Sequence, residues 1–114
     1  MQHFYINPNT FNNIKNGNFE PIYFNFCNTW NKRCYDMRNQ NKVQNGKELY
    51  GEDVFLVRFF NTGNDKESVI ATVGHNFVNG KEMNGEIWFK SQRFNKLTIY
   101  KIEKPKEKDC YGRT

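Results

Sequence analysis

The sequence predicts a mainly β domain: a compact antiparallel, highly twisted sheet or small barrel of about six or seven short strands, with at most one short N-terminal helix. An α+β arrangement is the alternative. Three observations carry the expectation. One Ala and three Leu stand against seven Ile, six Val and eleven Phe. β-Branched and aromatic side chains fit a pleated, half-buried surface, whereas Ala and Leu are the stronger helix formers. Eighteen Asn residues favour tight turns, because Asn tolerates the left-handed conformation and competes with helical backbone bonds. Short alternating runs recur at close spacing between turn residues. Asn, Lys, Ile, Phe and Tyr share AT-rich codons, so part of the bias belongs to the genome rather than to the fold.

The elements follow in order. "HFYIN" (3–7) reads as an opening strand. In "NPNTFNNIKNG" either Asn9 or Thr10 is a candidate N-cap and Gly17 a stop, which places one short helix at 10–16. "EPIYFNFCNTW" (20–30) alternates, with Ile22, Phe24 and Phe26 on the buried face. Residues 31–52 carry few apolar side chains and read as a long loop with a strand around Arg33–Met37. "DVFLVRFF" (53–60) is apolar on both faces, which marks a central strand. "SVIATVG" (68–74) returns antiparallel to it across "NTGNDKE". Asn-Gly pairs at 79–80 and 84–85 are hairpin turns in waiting. "GEIWFK" (85–90) and "KLTIYKIEK" (96–104) then form a last hairpin around "SQRFN". Residues 1–104 make a single domain, and 105–114 a polar C-terminal tail.

A chain of 114 residues is long enough for one core without staples. The formal net charge of +5 and a pI near 9.2 are compatible with a polyanionic partner and also with plain solubility. No apolar run approaches a membrane span, and the N-terminus lacks a charged and then apolar leader, so a cytoplasmic location is expected. Cys27, Cys34 and Cys110 are an odd count, which argues against a disulfide framework. The Cys27-x6-Cys34 spacing is too wide for a zinc knuckle, so no metal or other cofactor is expected.

Two segments carry the candidate binding residues. "IWFKSQRFNKLTIYK" (87–101) has four basic residues, four aromatics and no acid. With alternate residues sharing a strand face, Leu97 and Ile99 point to the core. Trp88, Lys90, Lys96, Thr98, Tyr100 and Ile102 share the other face, with Arg93 and Phe94 at a loop tip. Rings that stack on bases and cations that neutralise phosphate are how open sheets hold single strands. The same pattern also describes ordinary core rings with lysines at the rim. The second segment, "NKRCYDMRNQNK" (31–42), adds Lys32, Arg33, Tyr35 and Arg38 next to Trp30. If the two segments meet on one side they make a groove.

No GxSxG, HExxH, Walker or GxGxxG pattern occurs. His3 and His75 are the only histidines. A metal-free ribonuclease built on His75 is conceivable chemically, but no motif supports it and catalysis is not expected. The stretch 50–76, "YGEDVFLVRFFNTGNDKESVIATVGHN", resembles the strand and returning strand of PUA-like barrels, which handle RNA or modified bases. That likeness covers about a quarter of the chain and rests on hairpin grammar common to many folds. The leading expectation is a non-catalytic module binding single-stranded DNA, RNA or a nucleoprotein. The alternative is a small phage or mobile-element inhibitor that blocks a host nuclease or an immune effector such as a CRISPR complex. Such an anti-CRISPR role would place it in the host cytoplasm, with Trp30, Tyr35, Arg38, Tyr50, Arg93 and Phe94 as anchors.

Overall fold

The computed structural model describes residues 1–80 and 92–103. In chain order the elements are β1 (Gln2–Ile6), α1 (Pro8–Lys15), β2 (Ile22–Asn25), α2 (Asn28–Arg38), α3 (Gly46–Tyr50), β3 (Phe55–Asn61), β4 (Asn64–Asn79) and β5 (Arg93–Glu103). The strands form one sheet in the order β1-β3-β4-β5-β2. β1 runs parallel to β3, and every other neighbouring pair is antiparallel. The protein is therefore mainly β, as expected, but the described sheet has five strands rather than six or seven and is mixed rather than purely antiparallel. Three short helices stand where at most one was expected. The parallel pair has a simple cause. β1 and β3 are joined through α1, β2, α2 and α3, and parallel neighbours need such a long crossover.

α1 forms where one short helix was expected, but it starts at Pro8, two residues early, and its cap is neither Asn9 nor Thr10. Asn7 is the N-cap, its Oδ1 accepting the Thr10 N–H at 2.8 Å, and Pro8 opens the first turn, where its missing N–H costs nothing. Phe11 and Ile14, three residues apart, are buried. Gly17, at φ +91°, ends the helix region. α2 corrects the reading of 31–42 as loop and strand. Trp30, Cys34 and Met37 are spaced four and three apart, so they fall on one helical face. Cys34 and Met37 are fully buried there and Trp30 packs against the core. After α2, Asn41 and Asn45 both take positive φ, +37° and +63°, which Asn tolerates better than most residues.

β3 is buried at every second residue, and β4 pairs with it from Phe55↔Val73 to Phe59↔Val69. Phe55, Val57, Phe59, Val69, Ala71 and Val73 form the sheet side of the core. Leu97 and Ile99 join them from β5 as expected. β5 pairs with β4 and β2. Its predicted partner 85–90 lies outside the described residues. A register shift opposite Thr72/Val73 leaves Tyr100 as an extra residue in β5. A bulge of this kind reverses the alternation beyond it. Ile102, expected beside Tyr100, therefore packs against the core instead.

The sheet curls into a half-barrel. Five flat strands would hold β1 and β2 roughly 19 Å apart, at about 4.8 Å per neighbour. Yet Phe4 of β1 and Phe24 of β2 stack at 5.3 Å between ring centroids. Trp30 lies on Phe24 at 4.3 Å and near Phe4 at 6.2 Å, so α2 fills the seam between the two edge strands. Arg33 donates to the His3 carbonyl at 2.9 Å, occupying an acceptor on the β1 edge. Among the described residues no helix is long and apolar enough to cross a membrane.

Candidate functional site

The helix-bearing face of the sheet continues past the core at one end. Ile22 and Phe24 of β2 point inward, and the next residue of that parity, Phe26, lies just beyond the strand. On β4 the inward series Val73, His75 continues to Phe77. Phe77 pairs in register with Asn95, two residues from Arg93 on β5. Diagonal neighbours on one face are within reach of long side chains. The Arg93 guanidinium accordingly lies over both rings, 4.9 Å from the Phe26 centroid and 5.1 Å from that of Phe77. The two rings meet edge to face at 5.5 Å. Both remain open to solvent, Phe26 at 44% and Phe77 at 48%.

Beside this trio lies a buried polar network. His75 and Asn95 are 5% and 0% exposed. The Asn95 amide donates to the Asn25 carbonyl at 3.0 Å and to Asn31 Oδ1 at 2.8 Å. With both protons committed, Asn95 must present Oδ1 to His75 Nε2, 2.8 Å away. His75 Nε2 is therefore the protonated nitrogen, and Nδ1 carries the lone pair in the neutral ring. Arg38, in the last turn of α2, donates from Nη1 to the His75 carbonyl at 3.2 Å and lies 3.5 Å from Nδ1. Its guanidinium also sits over the Phe55 ring at 5.3 Å. Burial holds His75 below the usual imidazole range. The Asn95 hydrogen bond opposes that shift, Arg38 adds to it, and Glu52 opposes it weakly. The His75 ring touches Phe77 at 4.9 Å, which joins the network to the exposed rings.

The predicted site residues divide. Arg38 and Arg93, one from each candidate segment, come to this face. Neither has a carboxylate partner among the described residues, where the ion pairs are Lys15–Glu67, Lys32–Asp36 and Lys42–Asp53. Trp30 and Arg33 belong to the seam, with the Arg33 guanidinium 5.5 Å from the Trp30 ring. Lys32 is tied to Asp36 at 3.3 Å, and Tyr35 projects into solvent. Phe94 is a correction: it lies within β5 and is buried rather than at a loop tip, because Arg93 already pairs with Asn79. Lys96 and Tyr100 fall on the other side of the sheet from Arg93. Tyr100 donates to Glu52 and packs on Tyr50 at 4.7 Å. Trp88 and Lys90 lie outside the described residues.

Sequence reasoning missed Phe26, Phe77 and the His75–Asn95 pair. Phe26 read as core by alternation, and only the end of β2 at Asn25 leaves it in the open. Among the described residues no group of three or more His, Cys, Asp or Glu could hold a metal ion. No family model, curated protein or solved structure matches the chain.

Proposed function

We propose that this face binds single-stranded nucleic acid without catalysis. The observation that carries the reading is Arg93 held over two half-exposed phenylalanine rings beside Arg38, with no acid pairing either guanidinium among the described residues. Base-on-ring stacking contributes about 1–3 kcal/mol per base and tolerates any sequence. Guanidinium groups suit phosphate because their donors form a planar fork. Arg93 is already oriented by the rings and Arg38 by His75, so less side-chain freedom remains to be lost on binding.

Fluorescence anisotropy of a labelled oligothymidylate or oligouridylate, titrated at several salt concentrations, tests this. Affinity should fall steeply as salt rises, since each phosphate contact releases counterions. Failure to bind either oligonucleotide at low salt overturns the reading.

A further inference from the structure

Protonation of His75 would leave the His75–Arg38 pair without an acceptor among the described residues. In the neutral ring, Nδ1 accepts one Arg38 Nη1 proton at 3.5 Å, the long limit of a hydrogen bond, and the other Nη1 proton serves the His75 carbonyl at 3.2 Å. A proton added at Nδ1 would displace that bond and point at a guanidinium donor, with no acceptor for it among the described residues. Nε2 is unaffected, because it donates to Asn95 in either charge state. The charged groups acting on the ring are Arg38 from α2 and Glu52 from the segment before β3. β5 offers only the neutral Asn95, and β4 the Phe77 ring. Arg38 is itself exposed, so its side chain has room to turn outward.

We propose that His75 is a third anion-binding residue of this face, and that a phosphate oxygen captured between Arg38 and His75 is bound together with a proton taken up at Nδ1. The inference rests on the nucleic-acid reading above and adds the part played by the buried network. The anion supplies the missing acceptor and offsets the unfavourable closeness of two cations. Charge-assisted hydrogen bonds to phosphate oxygens are among the stronger ones available. The one covalent change is the Nδ1–H bond, formed with a proton given up by solvent. Asn31 and Asn95 act as positioning residues: they fix the tautomer that keeps the lone pair on Nδ1, where the proton is received.

Binding and protonation must then favour one another reciprocally. Oligouridylate affinity is measured at constant ionic strength from pH 8 to pH 5.5, on the full chain and on His75→Gln. The Gln amide still has a proton for Asn95. Wild type should tighten by roughly three- to tenfold as pH falls below the usual imidazole value, since one linked proton gives at most about tenfold per pH unit. His75→Gln should lack that increment. The same linkage is read without a variant. The His75 ring resonances should titrate at higher pH with the oligonucleotide bound than without it. Parallel pH profiles for the two proteins, or a His75 titration unmoved by ligand, overturn the role of His75 while leaving the binding face standing. An oligonucleotide that fails to bind at any pH overturns both.

Discussion

Phe4 and Phe24 stack at 5.3 Å although they sit on the first and last strands of the sheet order. Their contact defines the half-barrel, and Trp30 of α2 completes it by lying 4.3 Å from the Phe24 ring. Aromatic pairs of this kind contribute about 0.5–1.5 kcal/mol beyond the area they bury. The seam is thus where helix α2, strand β1 and strand β2 depend on one another.

Trp30→Ala should destabilise the domain by about 3 kcal/mol, as expected when a large ring is removed from packed surroundings. Urea unfolding checks the value. A loss below about 0.5 kcal/mol, the scale of an ordinary surface change, would mean that α2 does not close the seam. Oligonucleotide affinity under fully folded conditions should remain near that of the parent, because Trp30 packs on Phe24 and Phe4 whereas Arg93 lies over Phe26 and Phe77.

Phe26→Ala and Phe77→Ala should behave in the opposite way. Both rings are about half exposed, so thermal melting should stay near the parent value while each variant loses about 1–3 kcal/mol of binding. Arg93→Gln and Arg38→Gln should each reduce the steepness of the log–log salt dependence by about 0.7, the share of one phosphate contact in a single strand. Unchanged salt slopes in both arginine variants would move the phosphate contacts elsewhere.

Glu52 lies against Gly74, where a methyl group would come within 2.6 Å of the carboxylate. Gly74→Ala should push Glu52 aside and break its hydrogen bonds from Tyr100 and Asn76. Burial and the Glu52 carboxylate raise the Tyr100 hydroxyl to about 12. Because the folded value is raised, the associated stability is present below about pH 10, the ordinary tyrosine value. It is lost as pH climbs from there through about 12. Chemical unfolding of wild type and Tyr100→Phe between pH 9 and pH 11 should show the two stabilities converging with pH. Curves that stay parallel would show that the hydroxyl is not coupled to folding.

Cys34 is fully buried, and burial pushes its thiol up to about 11. Cys27 is exposed at the start of α2. Brief alkylation at pH 8 should label Cys27 and spare Cys34 until urea unfolds the chain, since the thiolate is the reactive form. Mass spectrometry of the digested protein locates the label. Equal labelling of both residues in the native state would contradict the packing of α2.

The strand content and the β3–β4 hairpin were legible in the residues themselves. The apolar run at 53–60 and β-branched residues in Ser68–Val73 state a local preference that survives any tertiary arrangement. The Gly17 stop announces α1 in the same local terms, although its N-cap is Asn7 rather than the expected Asn9 or Thr10. Helix α2 was carried only by Trp30, Cys34 and Met37, a stripe of three among polar neighbours whose individual propensities are weak. Its formation was decided by the seam that Trp30 fills, since helical stability in proteins comes mostly from packing an apolar face. Strand order, and with it the parallel β1–β3 pair, depends on which edges meet in space. The candidate site shows the same division. The sequence picked out Arg38 and Arg93 by type and separated them by 55 positions. Only the curl of the sheet and the end of β2 at Asn25 brought them to one face and left Phe26 and Phe77 uncovered. Local pattern sets what a side chain tends to do, whereas its exposure depends on the strands and helices packed around it.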